Sequence, residues 1–585
     1  AKNYKMSTTA NDDPSKYGPY DTGNPENTLT LATKISANDN ARAWFTHGLA
    51  WLYGYNHEEA IACFTKATAA DENCAMAWWG IAYSVSSSYN WVPGLGCGFD
   101  AISAAKAIVD KGVALADLEK DLIDALLTRS TKEARDSANP TALNFGNSPE
   151  LNLAFVDAMA KVYAKYPKDN DVAAIYAEGL MNLKPWSLWN RAVDKEGGLV
   201  VTPADDNTLL IEKIIEKGFE NPRGKQHPAL CHLYCHLLEL SVYPEKALPA
   251  ANTLRTLMPA MGHLVHMPSH IDAWVGGYKE GVQCNEDGVA ADDKYVEISG
   301  NESQFYKFYR MHNMHFVVWM SMHDGRYENA MKYARKMQQQ LTETHVTFML
   351  AGIIPMGAVF LEAFNTMPWH VWIRFGKWAE ILTEPIPTNE AAYPGTICTA
   401  HYARAMAHAV QGNVAEAEKS QAAFLKAREN PALSGRVIHN NPMYATEGPS
   451  VLHVAEAVLE GELLYRKAVL ADGDASTYDA AFDTLRKAVL LSETLKYDEP
   501  WGWMVPVRHA LGALLLEQGR VDEATAVYKA DVALWKDNMW GLHGLVSCLK
   551  ASKKPFDEEN KRYQKAIERA DIKLTATCFC AAAAG

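Results

Sequence analysis

Large and small apolar residues follow one another along most of the chain in an order that predicts pairs of packed helices. From about residue 41 the order is large, small, aromatic, small, aromatic, small, and it is formed by Trp44, Gly48, Trp51, Ala60, Phe64 and Ala67. Small residues let two helices approach closely, while aromatic rings fill the groove between them. Trp78 then takes the place of Trp44 in the next helix pair, which indicates that the unit repeats.

The same order returns near the C-terminus, in Leu511, Gly512, Leu515, Ala524, Tyr528, Trp540 and Gly544. The interval from Trp44 to Trp78 is the period of the tetratricopeptide repeat, about 34 residues. Degenerate units between the two ends combine a Gly turn with an amphipathic helix, as in DGRYENAMKYARKM and QGNVAEAEKSQAAFLKA. The sequence therefore predicts an all-α fold, a tetratricopeptide-like helical-repeat solenoid. We expect a compact or strongly curved array, because apolar residues and Trp occur on both helices of the repeats.

The pattern divides the chain into four segments. Residues 1–38 are rich in Asn, Asp, Thr, Pro and Gly and predict an irregular lead-in. Residues 39–225 predict N-terminal repeats with two turn-rich loop inserts, 129–150 and 185–206, packed across the concave side. Two further segments follow, a central His-rich set of repeats at 226–345 and a C-terminal set at 346–585 that ends in a Cys-x-Cys tail.

Composition and charge narrow the possible partners. There are 56 Lys and Arg against 70 Asp and Glu, for a net charge of −14, and no basic block, which argues against a nucleic-acid binder. The longest uncharged apolar stretch, 345–361, contains Gly and Pro and is too short to cross a bilayer. We expect a soluble protein, cytoplasmic unless a removed leader directed it to an organelle lumen or to secretion. The oligomeric state is not readable from the sequence.

Histidines are concentrated in the central segment. Nine of the 19 lie between His227 and His323. Several are three or four residues apart, so they share a helix face, and Glu239 follows His236 by three residues. Imidazoles at this spacing, joined by a carboxylate, are typical of copper, iron or zinc sites. The predicted metal ligands are His232, His236, Glu239, His263, His266, His270, His312 and His315.

Other interpretations of these residues stay open. A single buried His is usually a core residue hydrogen-bonded to a backbone carbonyl, and a His-lined groove could instead bind a small anion or a peptide. Cys231 and Cys235 are interpreted as small core residues. Cys578 and Cys580, at the C-terminus, are a weaker candidate for a ligand pair or a redox pair.

Candidate catalytic residues come from three places: Glu178 on an amphipathic helix, Glu239 beside the histidines, and Asp498 with Arg508 in the dense segment 497–519. Carboxylates, indoles and a guanidinium between helices could bind a polar substrate. The alternative for the last segment is structural, with Pro500 and Pro506 at the start of a helix and Arg508 paired with Asp498.

Several long strings resemble a poorly characterised family of tetratricopeptide-repeat proteins from fungi and bacteria. The strings are HLYCHLLELSVYPEKAL, GHLVHMPSHID, YRMHNMHF, RFGKWAEIL, GELLYRKA and YDEPWGWMVPVRHALGALLLEQG. The resemblance runs from about residue 41 to the terminal CFC, where AAAAG replaces a basic residue. It implies the repeat fold and a candidate site, since the family's GHLxHMPxHI and HNxHF strings fall on His263, His266, His270, His312 and His315.

These observations favour a metal-dependent enzyme, an oxidoreductase or a hydrolase acting on a small molecule bound in the concave groove. An open coordination position would polarise substrate or activate water or O₂. The alternatives are a non-enzymatic scaffold that binds a peptide or protein partner in the groove, and a protein that stores or carries metal.

Overall fold

The computed structural model describes residues 13–16, 22–23, 29–90, 98–137, 148–193, 199–301, 304–351 and 356–581. The described chain is predominantly α-helical, which confirms the predicted all-α helical-repeat fold. It divides into two units. The first comprises residues up to Ile271 together with Cys284–Tyr306, and the second comprises Asp272–Gln283 together with Lys307 onward. The four segments expected from the sequence, and the curvature of the array, stay predictions.

The first unit consists mainly of consecutive helices. They are α1 (Asp39–Tyr53), α2 (His57–Ala70), α3 (Ala75–Ser84), α4 (Phe99–Asp110), α5 (Asp117–Leu127), α6 (Lys132–Ser137), α7 (Pro149–Lys165), α8 (Asn170–Met181), α9 (Asp206–Glu220), α10 (Pro228–Leu238), α11 (Leu248–Leu257) and α12 (Gly262–His266). Three helices include residues of both units: α13 (Pro268–Val275), α14 (Tyr278–Ser299) and α15 (Gln304–His323).

The second unit continues the helical pattern. Its helices are α16 (Tyr327–Gln340), α17 (Glu343–Ala351), α18 (Met356–Leu361), α19 (Met367–Arg374), α20 (Trp378–Thr383), α21 (Pro394–Val410), α22 (Val414–Arg428), α23 (Val451–Leu470), α24 (Asp479–Glu493), α25 (Val507–Glu517), α26 (Val521–Leu534), α27 (Met539–Ala551) and α28 (Asp557–Ile567). Short 3-10 turns connect some helices in each unit.

An aromatic ring held between two glycines forms the core of a repeat in each unit. In the first, a Cβ added to Gly48 or Gly80 would lie 2.6 Å or 2.7 Å from the ring of Phe64 on α2. In the second, a Cβ on Gly512 or Gly544 would lie 2.5 Å or 2.3 Å from the ring of Tyr528. In both units the two glycines stand at equal distances along the chain before and after the aromatic residue. Only glycine lets the flanking helices approach the ring this closely.

The predicted inserts contain regular structure. Residues 185–206 were expected as a turn-rich loop, and they contain a hairpin in which β1 (Trp189–Val193) pairs antiparallel with β2 (Leu199–Pro203), with Trp189 opposite Pro203. Apolar and β-branched residues favour strands, and the Trp189 indole N–H donates to the Leu237 carbonyl at 2.6 Å, which anchors the hairpin on α10. The insert 129–150 includes α6, and its residues 138–147 lie outside the described chain.

A second, smaller hairpin pairs β3 (Val437–Ile438) with β4 (Asn441–Pro442) in the second unit. None of the helices in the described ranges is both long and apolar enough to span a membrane.

Candidate metal centre

Five imidazoles and one carboxylate of the first unit lie together in its interior. Helix α10 begins at Pro228, whose fixed φ suits the first turn, and it presents His232 and His236 one turn apart, with Glu239 at its C-cap. Helix α12 provides His263 and His266, and His270 follows Pro268 in the first turn of α13. All six side chains are buried, none more than 4 % exposed.

Two pairs of ring nitrogens are spaced like ligands of one metal ion. The Nε2 atoms of His232 and His263 lie 3.2 Å apart, and those of His266 and His270 lie 3.1 Å apart. Nitrogens bound to a tetrahedral zinc ion at 2.0–2.1 Å are separated by about 3.3 Å. His236 extends the first pair, since one ligand atom from each of His232, His236 and His263 lies within 4.8 Å of the other two.

Glu239 is hydrogen-bonded to the Nδ1 atoms of two of these rings. Its Oε1 lies 2.8 Å from Nδ1 of His236, and its Oε2 lies 2.6 Å from Nδ1 of His270. Because a carboxylate only accepts, each Nδ1 carries the proton, and the lone pair of each ring is on Nε2. A carboxylate that orients metal-binding histidines in this way is a common feature of zinc sites. Glu239 is thus placed as an orienting group for His236 and His270.

Residues that the sequence did not identify complete the surroundings of the cluster. The Asn285 side-chain oxygen lies 3.0 Å from Nδ1 of His266, and the Asn90 amide nitrogen lies 3.2 Å from Nε2 of His263. The Tyr55 ring stacks on His263 at 5.4 Å and meets the edge of His232 at 4.4 Å. No pattern marks these residues in the sequence.

Tyr55 occupies an uncommon backbone conformation for a bulky residue, with φ of 57°. A non-glycine residue in this left-handed region is disfavoured by about 1–3 kcal/mol, and such residues concentrate at functional sites. The ring packs against both histidines. The Tyr55 hydroxyl donates to Glu178 at 2.7 Å.

Burial keeps three of the imidazoles neutral, those of His232, His266 and His270. It is the main cause that lowers the pKa of His232 and His270 well below the ordinary value, and neighbouring histidines lower both further. Burial likewise lowers the pKa of His266 to about 3, despite the hydrogen bond to Asn285. A metal ion requires the neutral ring, so the protonation state suits a ligand set.

A cavity of about 10 Å³ borders this cluster in the first unit, lined in part by His232, Tyr55, His57, Tyr83 and Glu178. A volume of about 10–15 Å³ holds a single water molecule. Glu178, a candidate from the sequence, accepts hydrogen bonds from Tyr55 at 2.7 Å and from Tyr83 at 2.6 Å. The carboxylate has further lone pairs with which to contact a molecule in the cavity.

Arg129 adds a buried positive charge beside Tyr83. The guanidinium lies 4.1 Å from the centre of the Phe155 ring and 5.4 Å from that of Tyr83. It is 2 % exposed. Arg129 was not a candidate from the sequence, where it is the first residue of the insert 129–150.

The remaining predicted histidine ligands belong to the second unit. His315 Nδ1 lies 3.2 Å from Nε2 of His439, and its Nε2 lies 3.0 Å from the sulfur of Met504. The ring of His312 is 5.3 Å from that of His439. His439 was not identified from the sequence because it stands alone between two short strands. That His312 and His315 bind metal stays a prediction.

Asp498 and Arg508 do not form an ion pair, so the structural interpretation of their segment is wrong on this point. Arg508 binds Glu493 at 2.6 Å and 2.9 Å, because the first turn of α25 faces the end of α24. Asp498 accepts instead from the backbone of Asn440 at 2.7 Å and from the side chain of Asn441 at 2.5 Å. Burial raises the pKa of Asp498 well above its ordinary value. Pro506 precedes helix α25, as expected, while Pro500 begins no helix.

The four cysteines discussed in the sequence analysis form two pairs. Cys578 and Cys580 are joined by a disulfide, so in this state neither sulfur is a thiolate that could bind metal. Cys231 and Cys235 are buried and reduced, and they share helix α10 with the His pair.

Comparison with known proteins identifies no family. No family model matches the chain, and no curated protein matches it. Among solved structures, a human IFIT1 dimer with PPP-AAAA is similar over 94% of each chain, at 11% sequence identity and a TM-score of 0.25. A score this low carries no argument about function. The resemblance to a fungal and bacterial tetratricopeptide family stays a prediction.

Proposed function

We propose that the protein is a metal-dependent enzyme acting on a small molecule, with a transition metal held in the first unit by His232, His236 and His263. The main support is the convergence of three buried imidazoles whose ligand atoms lie within 4.8 Å of one another. Imidazole nitrogens suit copper, iron and zinc alike. When bound, such a metal polarises a substrate or activates water or O₂.

The pair His266 and His270 offers a second position. Their Nε2 atoms, 3.1 Å apart, have the spacing of two ligands on one ion. Glu239 links this pair to His236, since its two oxygens contact one ring of each set. We therefore propose one metal on the first three histidines, with a second ion on this pair as an extension of the same centre.

An open coordination position separates a catalytic site from a purely structural one. The water-sized cavity that His232 lines supports such a position. Glu178, held by Tyr55 and Tyr83 in the wall of that cavity, would act there as the acid or base. Arg129, which is buried against Tyr83, would place positive charge near an anionic substrate group.

Cobalt(II) substitution tests this proposal. Loading the metal-free protein with Co²⁺ should give the absorption bands of a four-coordinate ion, and azide should shift them because it replaces a ligand that is not part of the protein. His236→Ala should abolish the bands, whereas His47→Ala, which changes a half-buried histidine of the same unit, should leave them unchanged. Bands that azide does not shift would instead indicate a closed site, as expected for a structural or storage metal.

A further inference from the structure

The second unit contains a cavity whose wall is largely indole. Its volume is about 20 Å³, and it is lined in part by Trp319, Trp501, Trp503, Trp535 and Asp531. Since about 10–15 Å³ holds one water, there is room for one or two non-hydrogen atoms of ligand. The residues that line the cavity all belong to the second unit, and the inference does not rest on the function proposed for the first.

The indoles enclose the cavity around Trp535. Trp319 meets the Trp535 ring at 5.2 Å with an angle of 69°, and Trp501 meets it at 5.7 Å with an angle of 75°. Trp274 stacks on Trp535 at 5.1 Å and supports it from within the same unit. Indole faces carry negative potential and attract cations more strongly than other aromatic rings. The wall therefore favours a positive group over a neutral one of equal size.

Asp531 contributes an incompletely bonded carboxylate to the same wall. Its Oδ2 accepts from Nε2–H of His509 at 2.8 Å and from the Asn538 amide at 3.1 Å. The side chain is 0 % exposed, so its Oδ1 is shielded from solvent. This oxygen has no hydrogen-bond partner among the described residues. A buried acceptor left without a donor is costly, so native structures nearly always provide one.

The surroundings of Asp531 favour its ionised form. Arg374 donates to Nδ1 of His509 at 3.0 Å, so Nδ1 accepts and the proton of the neutral ring is on Nε2. That N–H then donates to Asp531, which must accept. Burial favours the neutral acid, but His509 and Asn538 outweigh it and lower the pKa of Asp531 below its ordinary value.

We infer that this cavity binds the ammonium head of a small primary amine, which would contact the indole faces and donate a hydrogen bond to Oδ1 of Asp531. A primary ammonium group with its first carbon matches the room for one or two atoms. A quaternary ammonium group is too large and has no N–H to donate. Glu493 and Arg508 also line the cavity, and their charges balance each other because both oxygens of Glu493 accept from Arg508.

Methylammonium is the probe for this site, and ligand-observed saturation-transfer NMR on the full chain is the measurement. We expect saturable binding of methylammonium, and no saturable binding of methanol or tetramethylammonium. Asp531→Asn should weaken binding at least tenfold, since it removes the charge while an amide oxygen still accepts from His509. Glu384→Gln makes the same change of charge in the second unit at a residue that does not line the cavity, where Glu384 pairs with Arg335, and it should change affinity by less than threefold.

If circular dichroism shows that Asp531→Asn does not fold, a second variant tests the inference. Trp535→Leu removes the central indole but no charge, and it should also weaken methylammonium binding at least tenfold. The inference is overturned if methylammonium binds no better than methanol, or if a folded variant of Asp531 or Trp535 binds it as tightly as the wild type. Equal losses in Asp531→Asn and Glu384→Gln would likewise contradict it, because they would indicate a general charge effect.

Discussion

Glu239 and His270 are joined by a hydrogen bond of 2.6 Å between Oε2 and Nδ1, although they lie on different helical segments of the chain. The other oxygen of the same carboxylate contacts His236. One buried side chain therefore fixes the orientation of rings from α10 and α13. Because both contacts use Nδ1, the Nε2 atoms face the interior of the cluster, where the proposed metal would lie.

Replacing Glu239 should weaken metal binding without removing a ligand. Glu239→Gln leaves one oxygen to accept but presents an amide N–H to the second ring, so one of the two imidazoles loses its orientation. Loss of such an orienting group costs about 10–100-fold in metal affinity. The measurement is competition with a chromophoric chelator. Glu216→Gln, a change on α9 where the carboxylate accepts from Tyr234 at 2.8 Å, is the matched control and should bind metal normally.

The glycine positions of the repeat can be tested through stability. Gly48→Ala places a Cβ 2.6 Å from the Phe64 ring, and overpacking of this kind costs about 1–3 kcal/mol, more than the gain of about 1 kcal/mol from replacing a helical glycine by alanine. Gly179→Ala is the control within the same unit, because its nearest neighbour is 3.3 Å away and can move. Urea unfolding should show a lower midpoint for Gly48→Ala and little change or an increase for Gly179→Ala. Equal midpoints would argue against the close ring contact.

Acid should destabilise the metal-free protein through buried histidines of the second unit. Burial lowers the pKa of His370 to about 4, and burial with the nearby Arg374 charge lowers that of His323 to about 3. The pKa of a histidine in the unfolded chain is about 6.5. Below that pH the unfolded chain therefore binds protons that the folded chain does not. The contribution of these neutral histidines to the free energy of unfolding is therefore fully present above about pH 6.5. It falls as the pH decreases, by about 1.4 kcal/mol per pH unit for each such histidine.

His370→Gln tests this dependence, since it should remove one histidine's share of the slope. Between pH 7 and pH 5 that share amounts to about 2 kcal/mol of unfolding free energy, measured by urea unfolding of chelator-treated protein. His345→Gln changes an exposed histidine and should leave the slope unaltered. The same slope in both variants would show that His370 does not remain neutral in the folded state.

The sequence predicted the parts of the molecule that local spacing determines. Evenly spaced glycine and aromatic positions identified the repeats, and imidazoles one turn apart on α10 identified one side of the cluster. Tyr55 could not be found in this way, because its partner His232 is remote in the sequence and its turn carries no motif. Pairings across helices, such as Arg508 with Glu493 instead of Asp498, depend on packing that spacing alone does not reveal.

Elemental analysis of protein purified without chelator or affinity metal tests the central claim most directly. A buried site of three histidines predicts at least one copper, iron or zinc ion per chain in a near-integral ratio. His263→Ala should lose that ion while circular dichroism stays the same, because the apolar contacts between repeats stabilise the helices. His47→Ala should retain it. A wild-type protein with far less than one ion per chain, or a His263→Ala protein that keeps a full ion, would contradict the account.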